Sequence, residues 1–270
     1  MSLVEAFLEV VQNFFGVPWW GLLVIGVLLF IAGYVDSIAG GGGLISLPAF
    51  MIVGLPTHAA LATNKLGSAL GTLVSTWHYA RSGFIQLKLA LPCVASAIFG
   101  SSLGSNLVLL VDDFFLKVLL IVVLPFTAFY VMRSKKLSND VVSTLSGKKT
   151  MVICTMIAFC VGIYDGFYGP GTGTFLMLLL TGIAQLRLDA AAGITKAINL
   201  TTNLSALAVF LYHGQVLIPL GLLAGVFCIA GNFLGSHQFT SKGSLVARPI
   251  TLVVIAIFLV KVIYDLACGI

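Results

Sequence analysis

Apolar residues follow one another along nearly the whole chain, and what interrupts them carries the information. Windows of about 20 mostly apolar residues, the length of a bilayer-crossing helix, recur along the sequence. The pattern predicts apolar segments near 20–39, 44–53, 58–80, 89–111, 114–132, 150–168, 173–186, 190–211, 216–235 and 246–267. Two of the junctions are unusual: "DSIAGGGG" (36–43) and "DGFYGPGTG" (165–173) put an aspartate and several glycines inside apolar sequence. Each glycine costs a helix roughly 1 kcal/mol relative to alanine, so these stretches predict helices broken at membrane depth. The only markedly polar stretch is 133–149, "RSKKLSNDVVSTLSGKK". It divides the chain into a first transmembrane repeat (1–132), a cytoplasmic linker (133–149) and a second transmembrane repeat (150–270).

The halves repeat. Asp36 precedes "GGGG" as Asp165 precedes "GPGTG", and "AALATNK" (59–65) aligns with "AAAGITK" (190–196), so that Lys65 falls on Lys196. Paired interruptions in corresponding positions of two halves point to a transporter built from repeats. The positions of lysine and arginine orient those repeats. If each broken segment returns to its own side, ten loop Lys/Arg share the side of the linker, leaving Lys117 and Lys261 opposite. Parallel halves would satisfy the positive-inside rule less well. The predicted fold is therefore an all-α polytopic membrane protein of two homologous repeats, each with a glycine-broken helix, in inverted orientation.

Composition agrees. The chain is 59% hydrophobic and 9% charged, against about 25% charged residues in soluble domains. The net charge of +5 reads as loop residues beside anionic lipid, and no nucleic-acid partner is expected. The five cysteines show no zinc or disulfide spacing and read as buried thiols. No metal, cofactor or catalytic residue is expected. Glu5 and Glu9 precede the first apolar run without a basic residue, which argues against a cleavable signal peptide.

Four ionisable residues lie at membrane depth: Asp36, Lys65, Asp165 and Lys196. A charge there costs about 2.5–3.5 kcal/mol on insertion scales, so intramembrane charges face a cavity or one another. Lys65 heads a stripe with Ser68, Thr72 and Ser75, beside Asn64, and Lys196 heads Asn199, Asn203 and Ala206 at the same spacings, which place each set on one helix face. Broken backbone is tolerated in a bilayer only where it lines a cavity or is buried in protein. The helices restarting near Leu44 and Gly173 would aim free N–H groups and a positive dipole end at that cavity, and helix N-termini favour anions. The candidate anion-binding residues are Gly40, Gly41, Gly42, Gly43, Asn64, Lys65, Ser68, Thr72, Gly169, Gly171, Thr172, Gly173, Lys196, Asn199 and Asn203. Asp36 and Asp165 can cap backbone N–H groups, pair with the lysines, or serve a coupling ion, proton or sodium. Each lysine either binds the anion directly, the role expected here, or neutralises the aspartate of its own half.

At these residues the chain resembles the TauE/SafE sulfite exporter family, also known as the toluene-sulfonate uptake permeases. The resemblance rests on "GYVDSIAGGGGLISLPA", "ALATNK", "GIYDGFYGPGTGTF" and "KAINLTTN" and covers nearly the full chain. It implies a bacterial-type inner-membrane permease with a duplicated core that moves sulfite, sulfonates or related organosulfur anions. Pro170 and Thr172 depart from a pure glycine run, which implies unequal half-sites.

Two rival classes share some of these features. An anion channel would use the same cavity without a closed state. An intramembrane aspartyl protease would use two carboxylates to activate water, but such enzymes resemble one another in a G-x-G-D motif that "GTGT" lacks, and they give the lysines no role.

Overall fold

Nine α-helices and no strand are found among residues 3–112 and 145–243, which with Phe115 and Leu245 are the residues described in this computed structural model. They are α1 (Leu3–Phe15), α2 (Trp19–Ala39), α3 (Gly43–Ile52), α4 (Thr57–Arg81), α5 (Leu87–Val108), α6 (Gly147–Phe167), α7 (Thr172–Gly182), α8 (Leu188–Tyr212) and α9 (Ile218–Lys242). Both breaks fall where the glycines predict them. The expected segments 114–132 and 246–267, and most of the linker, lie outside the described residues.

The described elements depart from expectation in places. Helix α6 starts at Gly147, three residues before the segment expected from 150, and takes in Lys148 and Lys149. Helix α9 runs on past residue 235 to Lys242, its last turns carrying polar residues. Helix α1 was not anticipated. It is too short to span, and Leu8, Val11 and Phe15 form a half-buried stripe beside exposed Glu9 and Phe14.

Close approaches at glycines fix the helix directions. A Cβ on Gly21, at the start of α2, would lie 3.1 Å from Val53 just beyond α3, and one on Gly42 would lie 2.5 Å from the Asp36 Cβ. Helix α3 therefore doubles back along α2. Helix α4 crosses to the far end and α5 returns beside His58, whose ring bonds the Val108 carbonyl at 3.1 Å. Helix α6 lies parallel to α5, with Gly162 against Ala97 and Gly166 against Ser101. It thus enters from the end opposite to α2. Helix α8 begins at that same end, where Gly193 packs on Phe84 and Ile85, so the short α7 doubles back too. Helix α9 runs parallel to α2 and α4, with Gly221 against Leu66 and Gly33 against Cys228.

The second run, α6–α9, thus retraces the first, α2–α5, in the opposite sense, an arrangement compatible with an inverted duplication. Packing follows the same exchange: α2 lies on α9 as α6 lies on α5, α4 on α9 as α8 on α5, and α4 meets α8. Small residues permit this. A Cβ on Gly231 would overlap the Phe30 carbonyl, and one on Gly104 the Ile163 carbonyl, the close backbone approach typical of helix pairs in lipid.

The two ends differ in charge. One carries the exposed Trp19 and Trp20 at the start of α2. The other carries Arg81, Lys88, Lys148, Lys149, Arg187 and Lys242, every described Lys/Arg except Lys65 and Lys196. One apolar cluster gathers Ile25, Leu29, Phe50, Phe210 and Leu220 toward the tryptophan end. A second gathers Tyr79, Leu89, Leu180, Leu188 and Phe239 toward the basic end. Outward faces stay apolar, with Leu23 and Val27 on α2, Phe99 and Leu103 on α5, and Leu222 and Val226 on α9 exposed. Five of these helices (α2, α5, α6, α8 and α9) are long and apolar enough to cross a membrane. Helix α4 is not among them because its polar stripe faces the interior, where Lys65, Thr72 and Ser75 are buried. The chain is a multi-pass membrane protein.

Candidate functional site

Between the two apolar clusters lies a polar layer built by the two breaks. Helix α2 stops because Gly40 adopts a left-handed φ of 73°, and the residue before α7, Gly171, adopts φ 81°, conformations glycine reaches without strain. The breaks meet back to back. The Thr174 N–H donates to the Gly40 carbonyl at 3.2 Å, and the Thr174 hydroxyl donates to the Ala39 carbonyl at 2.8 Å. A Cβ on Gly173 would sit 2.5 Å from the Gly40 Cα, and one on Gly43 would sit 3.1 Å from the Pro170 Cα. Part of the glycine requirement is thus the crossing of two backbones, beyond the helix break the sequence suggested.

This crossing makes the N-termini of α3 and α7 start at the same depth, with their axes leading to opposite ends. Among the described residues, the N–H groups of Gly41, Gly42, Gly43, Gly171 and Gly173 donate to nothing. Half-helix N-termini with free N–H groups concentrate positive potential.

The lysines do not pair within their own halves. Lys65 Nζ donates to the Asp165 carboxylate at 2.8 Å and to the Asp165 carbonyl at 2.7 Å. Lys196 Nζ donates to the Asp36 carboxylate at 2.7 Å and to its carbonyl. The alternative weighed from sequence, in which Lys65 neutralises Asp36, is not the pairing found: Lys65 faces Asp165. Inversion carries each α4-type helix past the break of the other half, so Lys65 meets the aspartate 100 positions away and Lys196 the one 160 positions away. Lys65, Asp165 and Lys196 are at most 4% exposed, and each lysine also caps a carbonyl in the last turn of a broken helix, where a cation is stabilised.

One small cavity, about 30 Å³, is lined by Asp36, Gly40, Gly43, Asn64, Lys65, Ser68, Asp165, Gly169, Thr172, Gly173, Asn199 and Asn203. The geometry thus brings together twelve residues singled out in sequence. Gly42 lines an adjoining cavity with Asp36, Gly43 and Ser68. Gly41 and Gly171 belong to the breaks without lining either space. Lys196 stands behind Asp36, and Thr72 is buried one turn further along α4. Asn199 Oδ1 is buried without a hydrogen-bond partner. At about 30 Å³ the centre has room for about one water.

The halves are chemically unequal. Asp165 Oδ1 accepts the Thr172 hydroxyl at 2.7 Å. Gly43 stands at the matching position of the first half, and no donor among the described residues reaches Asp36 Oδ1. Sequence reasoning missed Ser46 on α3 and Asn232 on α9. Both are neutral polar residues in apolar helices, and Asn232 lies 131 positions beyond Ser101, an offset that could have drawn attention to it.

The crossed pairing makes a direct stability prediction. Lys65→Ala should destabilise the protein on the order of 3–5 kcal/mol by stranding a buried carboxylate. Adding Asp165→Ala should recover most of that loss, and adding Asp36→Ala should not, as read by thermal unfolding of the purified chain in detergent. Coupling of Lys65 to Asp36 instead would contradict the geometry.

A sequence profile described as "Sulfite exporter TauE/SafE" matches residues 25–262. A probable membrane transporter protein of Sinorhizobium is 36% identical over 239 residues, covering 88% of this chain and 91% of the relative. The probable membrane transporter protein YfcA of Escherichia coli is 34% identical over 247 residues, 90% and 91% of the two chains. One from Haemophilus influenzae is 32% identical over 237 residues, 87% and 92%. No solved structure matches. With two glycine-broken hairpins crossing at a buried polar centre, and with this match over most of its length, the chain belongs to the TauE/SafE sulfite exporter family of membrane transporters.

Proposed function

We propose that the protein is a secondary permease for a small oxyanion of the sulfite or organosulfonate type, held where the N-termini of α3 and α7 meet. The observation that carries this reading is the pair of unengaged N–H groups on Gly43 and Gly173, both lining one cavity. An oxyanion accepts several such hydrogen bonds at once, and charge-assisted bonds are the strong ones. Asn64, Ser68, Asn199 and Asn203 supply neutral donors around it. In this arrangement the two lysines hold carboxylates, so they set the potential and orient the breaks, with direct anion contact arising as the centre rearranges around its cargo. The family description names sulfite export and the relatives carry only transporter names, so the sulfur oxyanion is our assignment.

The small size of the centre also supports a carrier. A bound oxyanion is larger than the cavity, and two doubled-back hairpins entering from opposite ends provide a movable element for each side. Residues 1–132 and 150–270 then act as the two inverted repeats around one fixed site. All six described end-facing Lys/Arg share one end, which the positive-inside rule assigns to the cytoplasm in a bacterial inner membrane.

Topology is checked with single cysteines in a cysteine-free background. Ser82→Cys, at the basic end, should react with a membrane-impermeant maleimide only after permeabilisation, and His213→Cys, at the tryptophan end, should react in intact spheroplasts. The reverse pattern would overturn the orientation. For the site, Gly43→Ala adds a methyl group that meets only Pro170 closely and occupies the cavity. It should lower the unfolding temperature modestly through the Pro170 contact, leave a folded chain in detergent, and lower oxyanion uptake into proteoliposomes at least tenfold. Uptake at the wild-type rate would show that the anion binds elsewhere.

A further inference from the structure

Beside the anion centre, a second cavity of about 20 Å³ lies between α2, α3, α4 and α9. Its walls include the Asp36 side chain, Ser46, Ser68 and Asn232. Ser46 and Asn232 are each 2% exposed, yet Ser46 Oγ and Asn232 Oδ1 have no hydrogen-bond partner. The orientation of the Asn232 amide is fixed, because its Nδ2 donates to the Cys228 carbonyl at 3.0 Å, leaving the oxygen as the free end. Space for this amide is made by two glycines: a Cβ would lie 3.0 Å from Asn232 Nδ2 if placed on Gly33 and 2.6 Å if placed on Gly71. Asp36 gives Oδ2 to Lys196 and keeps Oδ1 free of any donor among the described residues.

We propose that this cavity binds one sodium ion, with the Asp36 carboxylate, the Ser46 and Ser68 hydroxyls and the Asn232 amide oxygen as its ligands. Carboxylate, amide and hydroxyl oxygens suit a hard cation. A space of this size holds about one water, and a dehydrated sodium ion is smaller than that. A proton would satisfy one oxygen; a cation engages the Asp36, Ser46 and Asn232 oxygens together with a lone pair of the Ser68 hydroxyl, whose proton is donated to Asn64 Oδ1 at 3.4 Å. The second half shows what replaces the ion. There the Thr172 hydroxyl takes the matching oxygen of Asp165, Phe175 occupies the position of Ser46, and Ser101, the counterpart of Asn232, donates to the Thr202 carbonyl at 2.8 Å. The site therefore exists once, in the first half.

Its consequence for transport rests on the permease reading. Two lysines and two aspartates leave the centre without net charge, so loading an anion alone would bury a charge, which is expensive at this depth. Sodium on Asp36 supplies the compensating charge and competes with Lys196 for the same carboxylate, turning the ammonium toward the anion.

Sodium binding is read on the full chain in detergent without any anion substrate beyond chloride, by thermal unfolding in NaCl, KCl or choline chloride at one ionic strength and by equilibrium binding of radioactive sodium. The wild type should show a saturable, sodium-selective rise in unfolding temperature. Ser46→Ala, and separately Ser68→Ala on a different helix, should raise the half-saturating sodium concentration at least tenfold, while Ser96→Ala, outside the cavity, should not. Equal responses to the three salts, no response, or variants that respond like the wild type would overturn the proposal. Sodium binding without oxyanion binding would leave this site standing and remove the permease reading; oxyanion binding without a sodium response would do the converse.

Discussion

Two ammonium groups and two carboxylates at the midplane of an apolar helix bundle must be paired, and they are paired across the halves. Lys65 on α4 holds the end of α6, and Lys196 on α8 holds the end of α2. Coulomb attraction is strong where water is scarce, and a charge left unpaired there is costly. Neither half can therefore settle without the other. The inverted packing of α2 on α9 and α6 on α5 brings these charges within reach, and the glycine contacts along those pairs allow the helices to come close enough.

The same pairing explains how a broken helix survives in lipid. Each break leaves carbonyls at the end of one helix and N–H groups at the start of the next. The lysines take carbonyls, Thr174 ties one break to the other, and the N–H groups of Gly43 and Gly173 are left to the cavity. The polar layer thus separates its donors: cations sit against helix C-termini, and uncommitted N–H groups face the space between. The twofold layout does not make the halves chemically alike. Thr172 completes Asp165, whereas Gly43 leaves Asp36 open toward Ser46 and Asn232, so one half is built to hold its aspartate and the other to share it.

The architecture was legible because each feature leaves a strong local mark. Consecutive glycines beside an aspartate announce a break, and lysines within apolar runs announce an interior. The pairing was not legible. Sequence offsets show which residues are equivalent, Lys65 with Lys196 and Asp36 with Asp165, and say nothing of which lysine meets which aspartate; only the direction of α6 relative to α5 reveals that each lysine faces the opposite break. Ser46 and Asn232 were passed over for another reason, since a neutral polar residue in a membrane helix reads as packing until its partners are seen to be missing. The role of Gly40 and Gly173 in letting two backbones cross follows from tertiary contact alone. Helix α1 escaped because a short amphipathic segment with exposed Glu9 does not carry the signal of a span.

The central claim, that two half-helix N-termini form the anion site, is tested most directly by a crystal structure of the full chain with selenite, the heavier analogue of sulfite, located by its anomalous signal. The account predicts a single strong peak between α3 and α7, within hydrogen-bonding distance of the Gly43 and Gly173 N–H groups. A peak confined to the groove of about 870 Å³ between α5 and α8, lined by Val94, Ile98, Leu204 and Tyr212, or to the lysines and arginines of the basic end, would contradict it.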